Sequence, residues 1–157
     1  MQLARSFNGM QVGLRDREQR IRYQATHDHL TGLHNRTGLR LRLMQLLERG
    51  APVAILLIDI HRFRDINASL ERATADAVLR AVATRLAHAT RSPDLVGRLG
   101  ADQFALLQET QEASAATQAA LTIAEDLRKG VLVAEARVAL STRSFVSTHA
   151  SGARSAD

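Results

Sequence analysis

Two aspartates carry the clearest chemical suggestion in this sequence. Asp59 follows an unbroken apolar run, Val53 to Ile58, and Asp102 sits in the short segment Gly100-Ala101-Asp102-Gln103 between two apolar stretches. If those stretches pair as neighbouring strands, two carboxylates meet at one end of a sheet. Carboxylates so placed repel unless a cation or proton joins them. Hard oxygen ligands beside phosphate suit Mg²⁺. Plainer roles stay open on residue type alone: Asp59 as the cap of a following helix, Asp102 as a turn residue. Arg91-Ser92-Pro93-Asp94 is a second candidate. An arginine fork grips phosphate and a carboxylate accepts from a base edge. A helix-terminal arginine followed by an Asp turn explains the same residues. His27-Asp28 is poor evidence for a metal site as a lone His-Asp pair and reads as structural. The spacing of His34, His88 and His149 suggests no role for them.

Composition narrows the classes. With no cysteine, disulfides, thiolate metal sites and Cys nucleophiles are excluded. The net charge of +5 is carried mostly by arginine, which suits nucleic acid, acidic lipid or a phosphate ligand. Base stacking needs aromatic platforms, and aromatics are only 3%, so no nucleic-acid partner is expected. No apolar run approaches the ~20 residues of a membrane span. Met1 to Arg5 lacks the apolar core of a signal peptide. A cytoplasmic domain is therefore expected, and 157 residues fit one domain able to bury a core.

These residues need elements to position them. Leu3, Phe7, Met10, Leu14, Ile21 and Gln24 fall on alternating steps of four and three, with Arg17 at the remaining place. This heptad seam predicts one helix over Leu3 to Ala25 that pairs with a copy of itself; the alternative is an amphipathic helix lying on its own domain. His27 to Arg36 breaks it. Leu39, Leu43, Leu46 and Leu47 mark a second helix, ended by Gly50 and Pro52. Val53 to Ile58 reads as a strand buried on both faces. Val78, Leu79, Val82 and Leu86 give another helix, and Ser92-Pro93-Asp94 is turn chemistry. Leu95 to Leu99 and Phe104 to Leu107 read as a hairpin. Ala116, Ala120, Ile123 and Leu127 line a further helix, Arg137 to Val146 a last strand, and Ser147 to Asp157 a disordered polar tail. The expected class is α+β, a mixed central sheet with helices packed on it, preceded by an N-terminal helix.

Three motifs in register resemble one family. "HDHLTGLHNR" looks like the opening of GGDEF domains, "LLIDIHRFRDIN" like their first strand and the loop after it, and "RLGADQF" stands where the family has Arg-x-Gly-Gly-Asp/Glu-Glu-Phe. The resemblance covers roughly Gln24 to Val146. It implies a domain that binds GTP with Mg²⁺ and, facing a second copy, forms cyclic di-GMP by in-line phosphoryl transfer. By resemblance Asp59 and Asp102 are metal ligands, Ile60 lends a backbone carbonyl, and Asp102 is also the catalytic acidic residue. Asn67 and Asp76 match the residues that read guanine, and Arg91 with Asp94 matches the inhibitory cyclic di-GMP motif.

Departures from the family pattern cluster at the chemistry. Gln103 replaces the loop glutamate; its amide oxygen can coordinate but brings no charge and takes no proton. Ala101 replaces the second glycine, and would be strained if that residue needed positive φ. Glu71-Arg72-Ala73-Thr74-Ala75-Asp76 keeps only the final Asp of the family's Gly-His-x-x-Gly-Asp, and His61 stands where a second Asp is usual. The family's last helix, with a phosphate-contacting lysine, has no counterpart here. The expectation is a regulatory, catalytically degenerate module that senses GTP or cyclic di-GMP; the alternatives are a working diguanylate cyclase and a dimerisation spacer without nucleotide. The first helix is similar to the closing helix of HAMP modules. Residues 1–25 are thus expected as a signalling helix, 26–146 as a GGDEF-like domain without its last helix, and 147–157 as tail. That implies a homodimer through the first helix, a full protein anchored in the inner membrane, and an EAL-type domain downstream.

Overall fold

A computed structural model describes residues 2–92 and 95–150, with side chains from Gly9 onward. Helix α1 spans Gln2–Thr26 and α2 Arg36–Glu48. Strand β1 (Val53–Ile60) is followed by α3 (Phe63–Ser69) and α4 (Arg72–His88). Strands β2 (Val96–Arg98) and β3 (Gln103–Glu109) precede α5 (Ala113–Arg128), and β4 (Val131–Val133), β5 (Ala136–Val138) and β6 (Thr142–His149) close the chain. The α+β class is as expected. The main sheet runs β2-β3-β1-β6, and its four strands pair antiparallel. Among the described residues, parallel pairing enters only as an isolated bridge, His34 to Gly97. β4 and β5 form a separate ribbon.

β1 reads as an unbroken apolar run because it is central and covered on both faces. Ala54, Leu56, Ile58 and Ile60 enter the larger core with Phe104, Leu106, Val78, Val82 and Leu86 of α4, and Ala116 and Leu127 of α5. Val53, on the opposite face, packs with Leu39 and Leu46 of α2 and with Ala105 and Leu107. The period-2 alternation splits one strand between two cores. Cover on the α2 side is partial: Leu57 and its β6 register partner Phe145 are exposed.

Two expectations are corrected, and one element went unread. α3 carried no readable periodicity; only Phe63 and Ile66 of its short span join the core. The single last strand is two: Leu140 turns into the core, its N–H donating to the Leu127 carbonyl at 3.1 Å, which ends β5 and restarts the chain as β6. β6 then runs to His149, so Ser147 to His149 belong to the sheet rather than to a tail. Residues 151–157 of that segment, and the side chains of Leu3 and Phe7, lie outside the described residues.

The alternative of α1 lying on its own domain does not hold. Side chains from Gly9 to Ala25 are exposed, including Met10, Leu14 and Ile21 at the seam. The helix meets the domain at its end. Thr26 and His34 lie against Gly38 so closely that a Cβ on Gly38 would collide with the Thr26 carbonyl and the His34 ring. Tyr23 stacks on His27 at 3.8 Å, and His27 lies 4.5 Å from His34.

Candidate nucleotide site

The turn after α1 is built on Asp28. Its carboxylate accepts from the Thr31 N–H at 2.9 Å and the Thr31 hydroxyl at 2.8 Å, fixing the turn that leads into α2. The same carboxylate takes both its oxygens to one nitrogen of Arg98, each at 3.2 Å. The pair is largely buried, with side-chain exposures of 13% for Arg98 and 15% for Asp28. Burial alone would raise the Asp28 pKa, but the hydrogen bonds from Thr31 and the charge of Arg98 outweigh it and hold the carboxyl below its ordinary range. The other terminal nitrogen of Arg98 donates to the Ala101 carbonyl at 2.9 Å. One guanidinium therefore ties the end of the α1 junction to the Gly100–Gln103 turn. Sequence reasoning placed His27-Asp28 as structural, as the geometry has it, but gave Arg98 no role. Its only signal was the leading arginine of the RLGADQF motif.

The turn itself is unstrained. Ala101 is not among the residues with positive φ, so the methyl that replaces the family's second glycine carries no backbone penalty. A Cβ on Gly100 would also meet only ordinary contact, 3.5 Å from the Gln103 side chain. Leu99 N–H donates to the Gln103 carbonyl at 2.8 Å and closes the hairpin.

β1 and β3 bring the two sequence-predicted carboxylates to one corner. Ile60 N–H donates to the Asp102 carbonyl at 3.0 Å, and Asp59 lies in register with Gln103 on one side and Arg143 of β6 on the other. Asp59 and Asp102 thus sit one register step apart at the sheet end. The residue directly across from Asp59 is the amide that replaces the family's glutamate. Among the described residues, no group of three or more His, Cys, Asp or Glu is placed to hold a metal ion. His61 stands at the same corner, its N–H donating to the Ser141 carbonyl at 2.7 Å. Its Nδ1 and the Thr142 hydroxyl are buried without a hydrogen-bond partner. Arg143, exposed beside Asp59, was missed by the sequence because strand register alone brings it there.

Asn67 and Asp76 come together. Both line a cavity of about 430 Å³ with Phe63, Arg72, Leu79, Arg98 and Ala101. Asn67 lies within α3 rather than in a turn, and Asp76 falls in the second turn of α4, past the first-turn positions where an acid serves the helix dipole. A neighbouring cavity of about 390 Å³ holds Asp28, Asn35, Arg36, Thr37, Arg98 and Gly100. Arg98 and Ala101 line both.

Arg91 lies apart from this site, exposed beyond the end of α4, where the Thr90 hydroxyl donates to the Ala87 and Ser92 carbonyls. Asp94, its expected partner, lies outside the described residues. No described helix is long and apolar enough to cross a membrane.

The family model "Diguanylate cyclase, GGDEF domain" matches residues 25–155. An uncharacterized protein of Mycobacterium tuberculosis is 41% identical over 113 residues, which is 71% of this chain and 18% of the relative. Diguanylate cyclase TpbB of Pseudomonas aeruginosa is 37% identical over 158 residues, 94% of this chain and 35% of that protein. This chain therefore spans about a third or less of either relative. The coiled coil and GGDEF domain of DgcB from Caulobacter crescentus, solved with c-di-GMP, superposes with a TM-score of 0.78 at 24% identity, covering 94% of this chain and 81% of that one.

Proposed function

The chain belongs to the GGDEF family of diguanylate cyclase domains, and from that premise we propose that this copy is a regulatory module that binds nucleotide and is deficient in turnover. The observation that carries the reading is the contrast between two halves of one site. The binding half is supported by one cavity that Asn67 and Asp76 share with Arg98 and Ala101. The chemical half is short of an acid, because Gln103 stands in register with Asp59. GTP or cyclic di-GMP is the ligand class, with guanine read by Asn67 and Asp76. Asp59, the Ile60 carbonyl and Asp102 would hold Mg²⁺, whose charge offsets that of the phosphates. These are the hard oxygen donors the ion prefers, one carboxylate fewer than the family pattern supplies. An amide at position 103 keeps a donor oxygen but cannot accept the proton that a nucleophilic hydroxyl must lose. Phosphoryl transfer depends on positioning and charge stabilisation, and it is the second that is reduced.

The exposed α1 supports assembly through its seam. Met10, Leu14 and Ile21 are apolar residues facing solvent on a helix that touches its own domain only at the end. In this reading α1 delivers an upstream signal by pairing with a second copy, the Asp28–Arg98 pair passes it to the loop, and the full protein is membrane-anchored with an EAL-type domain downstream.

The test is a titration of the full chain with GTP and with cyclic di-GMP, Mg²⁺ present, alongside an assay for cyclic di-GMP production. Binding of at least one nucleotide without product is expected. Ala101→Gly with Gln103→Glu should raise Mg²⁺-dependent GTP affinity modestly. Steady product formation abolished by Asp59→Ala would establish a working cyclase instead, and no binding of either nucleotide would leave the spacer role.

A further inference from the structure

Strand β6 ends the main sheet, paired with β1 and, among the described residues, with no strand on its outer side. Which of its backbone groups are free follows from the ladder. The His61 N–H donates to the Ser141 carbonyl, and Asp59, Leu57 and Ile55 continue that alternation against Arg143, Phe145 and Ser147. Antiparallel strands exchange hydrogen bonds at every second pair, so odd-numbered β6 residues turn their backbone groups toward β1. Thr142, Ser144, Val146 and Thr148 turn theirs outward. Natural sheet edges are blunted by proline, lysine, bulges or shortness. β6 is eight residues long, has no proline, carries Arg143 as its one fixed charge, and pairs with β1 without a bulge.

Both faces beside this edge carry apolar groups in water. On the α2 face, Leu57 and Phe145 form one row across β1 and β6, and they are 41% and 63% exposed. The other face is covered by α5, which packs chiefly on β6. Asp126 of α5 pairs with Arg85 of α4, so that flank of α5 faces α4. By the helical turn of 3.6 residues, Leu121 lies on the opposite flank, toward the outer side of β6, and it is 60% exposed.

We propose that β6 pairs antiparallel with β6 of a second copy, joining two four-stranded sheets into one. A two-fold axis perpendicular to the sheet keeps each face on its own side, so a residue meets only residues of its own parity. The register centred on Phe145 suits the edge. Ser144 of each copy exchanges backbone hydrogen bonds with Val146 of the other, and the two Phe145 side chains meet in a non-hydrogen-bonded pair, the closer kind. The apolar row then runs Leu57, Phe145, Phe145, Leu57 across four strands. Arg143 falls opposite Ser147, which keeps the two Arg143 charges about 14 Å apart. Registers centred on Ser144 or Val146 break the row and set Phe145 against Arg143 or Ser147. On the other face the Leu121 flanks of the two α5 helices come together. This contact uses neither the α1 seam nor the nucleotide corner, so it stands or falls apart from both. It is a small interface, of the weak and transient kind, so the pair forms at high concentration and is lost on dilution.

The chain has no cysteine, so disulfide trapping reports one position at a time. Phe145→Cys should form an intermolecular disulfide under mild oxidation, because directly opposed residues lie near the Cα separation that a disulfide spans. Arg143→Cys and Ser147→Cys should trap far less, each lying about 14 Å from its own counterpart. Sedimentation gives the second reading, on the full chain carrying Leu14→Glu and Ile21→Glu to silence the helix seam. That chain should pass from monomer to dimer as concentration rises. Adding Ser144→Pro should weaken the association at least tenfold, since each copy loses an outward donor. A proline there leaves the ladder to β1 intact, and a melting temperature near the parent's checks it. Trapping no greater at position 145 than at 143 and 147, or a monomer at ~1 mM, overturns the proposal. A Ser144→Pro chain that folds and dimerises like its parent does the same. If Ser144→Pro melts early, the trapping pattern decides alone.

Discussion

Removing the Asp28 carboxylate should destabilise this domain strongly, because its pair with Arg98 is largely buried. In Asp28→Ala the chain loses two hydrogen bonds from Thr31 and the partner of Arg98. Arg98 is left with a charge only 13% exposed and an Nε that already has no partner. Breaking a fully buried pair costs about 3–5 kcal/mol. The residual exposure of this one argues for the lower end, about 3 kcal/mol, against a whole-domain stability of roughly 5–15 kcal/mol. At about 2–4 °C per kcal/mol for a chain of this size, Tm should fall by roughly 6–12 °C. Urea unfolding should show a lower midpoint with unchanged slope. The dependence on pH follows from the direction of the shift. The folded carboxyl is held below its ordinary range by Thr31 and Arg98. Its stabilisation is therefore complete above the unfolded carboxylate range near pH ~4 and lost as pH falls through the lower folded value. The gap between the unaltered chain and Asp28→Asn should be widest at neutral pH and close in acid. A double-mutant cycle with Arg98→Met isolates the pair from the Thr31 bonds. An Asp28→Ala melting point within a degree of the unaltered chain, or a gap as wide at pH 3 as at pH 7, would refute this account.

Gly38→Ala tests the junction from the other side. Helix propensity alone predicts stabilisation of about 1 kcal/mol, but the new Cβ would meet the Thr26 carbonyl and the His34 ring, so Tm should fall and not rise. The β4–β5 turn places Ala134 at φ 47° and Glu135 at φ 67°, a conformation that favours Asn and Gly. Ala134→Asn with Glu135→Gly should raise Tm by a few degrees, about 1 kcal/mol or more of relieved strain. If the chain pairs through α1 as proposed, Leu14→Glu with Ile21→Glu should make it sediment as a monomer in dilute solution without altering the melting of the domain, since both side chains face solvent.

What the sequence made legible is what local pattern decides. The two-faced burial of β1, the hairpin around Gly100 to Gln103 and the apolar faces of α4 and α5 follow from residue type and period. α3 escaped because so short a helix shows no repeat, and β5 and β6 merged because only a long-range contact, Leu140 with Leu127, interrupts them. The same limit governs the site. Asn67 and Asp76 were found through a motif, and no spacing shows that they would share a cavity with Arg98. Leu57 and Phe145 likewise lie far apart in the chain, and strand register alone sets them in one row.

The substitutions at the loop gain meaning from what holds the loop in place. Ala101 and Gln103 are exposed, and Ala101 adopts negative φ, so neither replacement costs the fold anything. The loop's geometry is set elsewhere, by Arg98 donating to the Ala101 carbonyl while paired with Asp28, and by the Leu99 to Gln103 hydrogen bond. In the proposed reading, catalytic competence and structural integrity are therefore carried by different residues. A chain can lose the acid at position 103 and still present an ordered turn beside Asn67 and Asp76. In that reading the separation suits a sensing module, because a signal along α1 would reach Asp28 and Arg98 without passing through the residues that chemistry would need. It also makes the two roles separable by experiment. Asp28→Asn should loosen nucleotide binding at the Asn67–Asp76 cavity by disordering the loop. Restoring the glutamate at position 103 should change Mg²⁺-dependent affinity while leaving the melting temperature where it is. Equal movement of both properties in both variants would mean that loop order and loop chemistry are one system after all.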